Sequence, residues 1–288
     1  MRFGVLTFAA DGAMEAVAIG RVVEDLGFES LWLSEHSHIP TSRLSPFGGR
    51  PGAPPLPAHY RKGYDAMVAL AAIASTTTGL RLGTGVCLVA QHDPFWLAKQ
   101  VASLDALSGG RFLFGVGYGW NKEEMLHHGV EYSQRRAILR EKVLAMKALW
   151  TQEEASFEGE HVRFERSWAW PKPVQEPHPP IVVGAGPGPK TYADIVELAD
   201  GWMPNYGRYE LERGITELHA AALTAGRDPA TIELAITNAP KEPAELERLA
   251  GLGISRALFS VKPADEPVMT RALEVCADVV VGYRRAVG

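Results

Sequence analysis

The chain has 288 residues, 46% of them hydrophobic and 22% charged, with a formal net charge of −5. That balance excludes a disordered, collagen-like or coiled-coil chain. It also argues against nucleic acid as the partner, because neutralising phosphates takes a basic face. Two cysteines, Cys87 and Cys276, lie in apolar runs; they exclude a disulfide framework and a cysteine-based zinc site.

In chain order, residues 1–11 read as a short strand, since one arginine and six residues are too little for a signal peptide. No stretch is long and apolar enough for a membrane span, so a cytoplasmic protein with no membrane partner is expected. Strand-length apolar runs then recur at 3–8, 30–33, 80–88, 111–116, 180–183, 201–204, 231–236 and 255–261. Helix signals separate them. Asp93-Pro94 supplies a cap and a first-turn proline, and Gly109 a stop; Pro189 opens a helix that Gly201 closes, and Glu242-Pro243 opens one that Gly253 ends. Leu139, Val143, Met146 and Trp150 form one apolar helical stripe.

Eight strand–helix units predict a (β/α)8 TIM barrel, in preference to a doubly wound open sheet, which usually stops earlier. Residues 1–288 then form one domain. Two stretches interrupt the rhythm, 34–62 after the second strand and 153–179 before the fifth, and the latter contains a hairpin over 155–164. Both exceed the ~12–15 residues of ordinary loops and read as insertions covering the site.

In a barrel the active site lies at the carboxyl ends of the strands. Glu35 and His36 follow the second strand and read as a polar pair facing a cleft, with a structural hydrogen bond as the alternative. His36 and His38 form an H-x-H that raises a metal-dependent hydrolase, but the fifth to eighth strands end in Gly184, Asn205, Asn238 and Ser260, which leaves the further ligands unsupplied, so no metal is expected. After the fourth strand come Tyr118, Gly119 and Trp120. After the fifth, Gly184, Ala185, Gly186 and Gly188 run into a helix opened by Pro189, a phosphate-binding pattern that is also an ordinary tight turn. Neither glycine run is a strict dinucleotide fingerprint. Trp168 and Trp170 offer ring-stacking surfaces or simple packing, and Arg43 and Arg50 an anion contact or solvated charge.

At these residues the chain resembles the luciferase-like monooxygenase family, and within it the branch that uses coenzyme F420, a deazaflavin. The matching pieces are Phe3-Gly4-Val5, Leu31-Trp32-Leu33-Ser34-Glu35-His36-Ser37-His38-Ile39-Pro40, Leu82-Gly83-Thr84-Gly85-Val86 and Gly109-Gly110-Arg111-Phe112. They continue with Gly115-Val116-Gly117-Tyr118-Gly119-Trp120, Pro180-Ile181-Val182-Val183-Gly184-Ala185-Gly186 and Ala199-Asp200-Gly201-Trp202. They run in family order to about residue 205; the last third matches in rhythm only. The resemblance implies a barrel holding F420 or FMN, with the ring over a cis peptide at Gly85–Val86, the phosphate on 184–188 and His36 facing the ring. Two departures stand out. Glu35 replaces the aspartate of several deazaflavin enzymes, and Trp120 stands where a sugar-phosphate-oxidising subgroup has a glutamate, so that subgroup's substrate does not carry over.

The function this implies is hydride transfer between F420 and a small organic substrate. The alternative is an FMN monooxygenase fed by a partner flavin reductase and using O2; a non-catalytic flavin-binding protein and the metal hydrolase are further readings. Family members commonly form homodimers, although no residue pattern here demands one.

Overall fold

A computed structural model describes residues 1–287. Eight parallel strands close on themselves in the order β1 (Arg2–Thr7), β2 (Ser30–Leu33), β3 (Arg81–Thr84), β4 (Phe112–Val116), β7 (Ile181–Val183), β8 (Gly201–Trp202), β9 (Glu233–Thr237) and β10 (Arg256–Ser260), which returns to β1. Register runs through Val5↔Leu31, Leu31↔Leu82, Phe114↔Ile181, Trp202↔Leu234 and Phe3↔Ala257. The expected TIM barrel is therefore present.

Side chains alternate across each strand, and the two sets build two cores. Trp32, Leu113, Val182, Met203, Ala235 and Leu258 fill the barrel interior, with Leu6 and Val86 packed above them. The larger core lies between the strands and the outer helices. Trp32 needs a glycine beside it: a Cβ on Gly83 would lie 2.4 Å from the indole. The amino-terminal end of the barrel is plugged by Arg256, fully buried and bonded to Glu29 at 2.9 and 3.1 Å and to Glu233.

The helices start where capping chemistry places them. Asp93 accepts from Phe95 N and Trp96 N at the head of α3 (Pro94–Leu107), and Pro189 is the first residue of α6 (Pro189–Leu198). In α5 (Arg135–Thr151) the predicted stripe is buried. The remaining helices are α1 (Ala16–Asp25), α2 (Ala66–Ala74), α4 (Lys122–His127), α7 (Leu211–Thr224), α8 (Pro243–Gly251) and α9 (Glu266–Val287). No helix among the described residues is long and apolar enough to cross a membrane.

Two expectations change. The apolar run at 80–88 is not one strand: β3 ends at Thr84, the chain bends through a cis Gly85–Val86 peptide, and Cys87 rejoins the sheet as a single bridge to Val116. Burial, not extension, makes that run apolar. The insertion 153–179 forms the hairpin β5 (Ala155–Glu158) and β6 (Arg163–Ser167) but does not cover the carboxyl ends of the strands. The buried Asp105 accepts from Val174 N, Gln175 N and Gln175 Nε2, and Gln175 also donates to Phe112 O, so the segment is tied to the amino-terminal end of β4. Trp168 and Trp170 are exposed and are not part of the cleft lining.

Candidate active site

The carboxyl ends of the strands open into a cleft of two lobes that share Gly85, Val86, Trp120 and Gly184–Gly186 on their walls. The outer lobe, about 430 Å³, adds Glu35, His36, Tyr118, Tyr132, Arg135 and Arg136. The inner lobe, about 270 Å³, reaches the barrel axis at Leu6, Met203, Asn205 and Thr237. The insertion 34–62 roofs both through Gly48 and Tyr60. It is anchored on Glu123 of α4, whose carboxylate accepts from Leu44 N at 2.7 Å and Ser45 N at 3.1 Å. Against the desolvation that would raise it, these bonds and the Ser45 hydroxyl push Glu123 down to about 2.

His36 and Glu35 do not form a pair. They follow one another at the end of β2, and their side chains go to different partners. His36 Nδ1 lies 2.7 Å from Oε2 of Glu124, a fully buried carboxylate that also accepts from Ser37 N at 3.1 Å. With Nδ1–H donating to Glu124, Nε2 carries the lone pair, and Nε2 has no protein partner among the described residues. The imidazole is edge-on to Trp120 at 5.5 Å and tilted against Tyr60 at 5.4 Å.

Glu35 instead meets His92 Nε2 at 2.6 Å and accepts from Leu88 N at 3.3 Å, which ties the end of β2 to the loop after the bend. Burial pulls His92 down, and the hydrogen bond and charge of Glu35 outweigh it, so its pKa lies above the usual value. Burial pushes the Cys87 thiol well up, with Glu35 adding to the effect. Ligand atoms of Glu35, Cys87 and His92 lie within 4.8 Å of one another, a closeness that their own hydrogen bonds account for.

The glycines make room for neighbouring side chains. A Cβ on Gly117 would lie 2.3 Å from Val86 Cγ2, and one on Gly184 2.4 Å from Cγ1. These positions are bare so that the Val86 bulge fits between the loops after β4 and β7. Gly186 lies under Tyr209, 2.6 Å from a built Cβ to the ring. Ala185 O accepts from Trp202 Nε1 at 2.9 Å. Gly188 is off the cleft wall; it caps α6 at φ +148°, where only glycine is unstrained, and lines a separate hollow with Arg208 and Arg213. No side chain caps α6, so its first N–H groups are free to meet an anion.

Tyr118 and Gly119 line the outer lobe beside Trp120. Tyr118 donates to Asp194, which also pairs with Arg136 at 3.0 Å, and the Arg136 guanidinium lies 3.6 Å over the Tyr118 ring. Burial first, then Asp194, raises the Tyr118 pKa. Arg135 is stacked 3.6 Å over Tyr132, and its Nε is buried without a partner. Arg43 bonds to Ser45 O and lies 5.8 Å over Trp120, whereas Arg50 is exposed.

Glu124, the buried partner of His36, is not among the site residues expected from the sequence. A signal for it existed: Asn121 and Glu124 make the N-x-x-E spacing of a helix start, and Asn121 does cap α4. The Glu124 side chain turns to His36 rather than back to the cap.

A model of luciferase-like monooxygenases matches residues 1–241. An uncharacterised protein of Mycobacterium tuberculosis is 40% identical over 261 residues, 91% of this chain and 92% of that one. An F420-dependent hydroxymycolic acid dehydrogenase of the same organism is 28% identical over 219 residues, 75% of this chain and 56% of its own length. The crystal structure of the monooxygenase RslO1 from Streptomyces bottropensis superposes with a TM-score of 0.78 at 20% identity, covering 99% of this chain and all of that one. The chain belongs to the luciferase-like monooxygenase family.

Proposed function

We propose that this enzyme binds coenzyme F420 and a small organic substrate together in the two-lobed cleft, with the reacting carbon of the substrate beside His36, and transfers hydride between them. The observation that carries the reading is His36: its Nδ1 is fixed by a buried carboxylate, and its Nε2 is left over in a cleft. Hydride transfer to or from an alcohol or carbonyl must move a proton as well, and a positioned imidazole is suited to that. The F420-dependent dehydrogenase among the relatives supports the same reading.

The residues fit the coenzyme. Trp120 offers a flat face for its ring system, with Tyr118, covered by Arg136, beside it on the wall. The backbone of Gly184–Gly186 on the cleft wall and the unpartnered Arg135 Nε offer donors for a phosphate. When bound, the deazaflavin supplies the hydride-carrying carbon and, lacking the flavin nitrogen that engages oxygen, keeps the chemistry to hydride transfer. The protein orients: Val86 and the bare Gly117 and Gly184 shape the wall, and Tyr60 with the 34–62 roof excludes water. His36 Nε2 accepts the hydroxyl proton of an alcohol, or returns it to a carbonyl oxygen, while Glu124 holds the imidazole in one tautomer.

The test is to mix the protein with oxidised F420 and a panel of alcohols, with and without O2, and follow loss of the oxidised coenzyme's absorbance. Equal, O2-independent bleaching by at least one alcohol is expected. Substrate turnover only with reduced FMN, a flavin reductase and O2 would replace this reading with a monooxygenase.

A further inference from the structure

Tyr60 stands on the wall of both lobes, carried by the 3-10 turn Ala58–Arg61 of the roof. Other hydroxyls on that wall are engaged: Ser34 donates to Gly85 O at 3.0 Å, and Tyr118 donates to Asp194. The Tyr60 hydroxyl has no hydrogen-bond partner among the described residues, and its ring is the tyrosine ring that packs on His36, 5.4 Å between centroids. The charge that reaches the hydroxyl is that of Arg208, a residue of the inner-lobe wall, which puts the oxygen on the cleft side. The ring itself is held by Phe8 at 4.7 Å and by Phe47 and His59 at 5.0 Å. Just beyond it the backbone is pinned to the loop after β1: Asp11 N donates to Lys62 O at 2.9 Å and Tyr64 N to Ala9 O at 2.8 Å. Tyr60 is a fixed ring with an unengaged donor.

We propose that Tyr60 is a second catalytic residue: its hydroxyl donates a hydrogen bond to the same substrate oxygen that exchanges its proton with His36. This rests on the hydride-transfer reading above. The two groups are complementary. With Nδ1–H committed to Glu124, His36 Nε2 is an acceptor and can take a hydroxyl proton, but it offers a carbonyl oxygen nothing until it is protonated. A donor is needed for the lone pairs of that oxygen, and Tyr60 supplies it. As an alcohol is oxidised, its O–H proton passes to Nε2, its C–H hydride passes to the coenzyme and the C–O bond becomes a carbonyl. Tyr60 keeps its own proton throughout. In the reverse direction the same O–H faces the oxygen on which negative charge develops, where a fixed donor lowers the barrier. Burial holds the Tyr60 pKa above its ordinary value against the opposing charge of Arg208, so the group stays a donor at neutral pH.

The experiment uses two inert carbonyl probes, acetamide and N,N-dimethylacetamide, titrated into the whole protein with and without saturating F420 and followed by ligand-observed NMR. Acetamide presents an acceptor to Tyr60 and an N–H to His36 Nε2; the dimethyl compound keeps only the acceptor. Wild type is compared with Y60F, H36A and Y64F, the last a half-exposed tyrosine outside the cleft lining. Y60F keeps the ring, and with it the packing of the roof, so its Tm should match wild type. It should weaken both probes ~3–10-fold, the range for one neutral hydrogen bond. H36A should weaken acetamide more than the dimethyl compound, Y64F should match wild type, and F420 affinity should be the same in wild type and Y60F. With any alcohol that bleaches F420, Y60F should lower kcat ~10–10²-fold. Equal probe affinity in wild type and Y60F, no probe binding to wild type, or an F420 affinity that falls with that of the probes each overturns the proposal. If no alcohol bleaches F420 while the Tyr60-dependent probe binding persists, the hydride-transfer reading fails and the contact of Tyr60 with a carbonyl oxygen stands.

Discussion

His36 and Glu124 are 88 positions apart in sequence, yet their side chains meet at 2.7 Å, with the carboxylate fully buried and the imidazole on the cleft wall. β2 delivers one and α4 the other, and the same carboxylate accepts from Ser37 N, so a single group fixes both the ring and the backbone that carries it.

If His36 moves the proton, His36→Ala should lower turnover by ~10²-fold or more while F420 affinity changes little. Glu124→Ala should lower kcat as well, because it frees the ring to rotate. The double variant should then be no worse than the more damaged single one, since both remove one device. Unchanged kcat in His36→Ala would take it out of the mechanism, and additive losses would mean that Glu124 acts independently.

The Val86 bulge and its two bare neighbours make a second coupled set. Gly184→Ala would drive a Cβ to 2.4 Å from Val86 Cγ1 and should cost ~1–3 kcal/mol of stability, the range for overpacking. Removing the obstructing methyls should relieve it, so Gly184→Ala in a Val86→Ala background should cost clearly less. Thermal denaturation of the four proteins measures the coupling; equal cost in both backgrounds would show that the glycine is needed for another reason.

The His92–Glu35 pair carries a pH signature. The folded state holds the His92 pKa above its ordinary ~6.5. Its stabilisation is therefore full below that ordinary value and is lost as pH rises through the raised folded value. His92→Gln keeps a neutral hydrogen bond but not the charge. The wild type's advantage in Tm over this variant should be larger near pH 6 than near pH 9, and an advantage that is constant or grows with pH would contradict the assignment.

Much of this architecture is written locally. Asp93-Pro94 and Pro189 start helices because their chemistry acts within a few residues, and the eight apolar runs mark the strands because a parallel strand is buried on both faces. What resisted reading depends on contacts distant in sequence. The run 80–88 is apolar whether it continues as a strand or folds back as a bulge, and only the packing of Val86 against Gly117 and Gly184 decides. Glu35 and His36 look like a pair because they are adjacent, but consecutive side chains at a strand end point in different directions. The insertion 153–179 is long and aromatic, which suggested a lid, and its destination is set by Asp105, a single buried carboxylate on α3. Gly188 was grouped with Gly184 and Gly186 by composition, although its conformation serves the start of α6.

The most direct measurement is equilibrium binding of the purified protein to F420 and to FMN, each oxidised and reduced, followed by fluorescence. The account predicts tight binding of F420 and weak binding of FMN in both redox states. Preference for reduced FMN, or binding of neither, would contradict it.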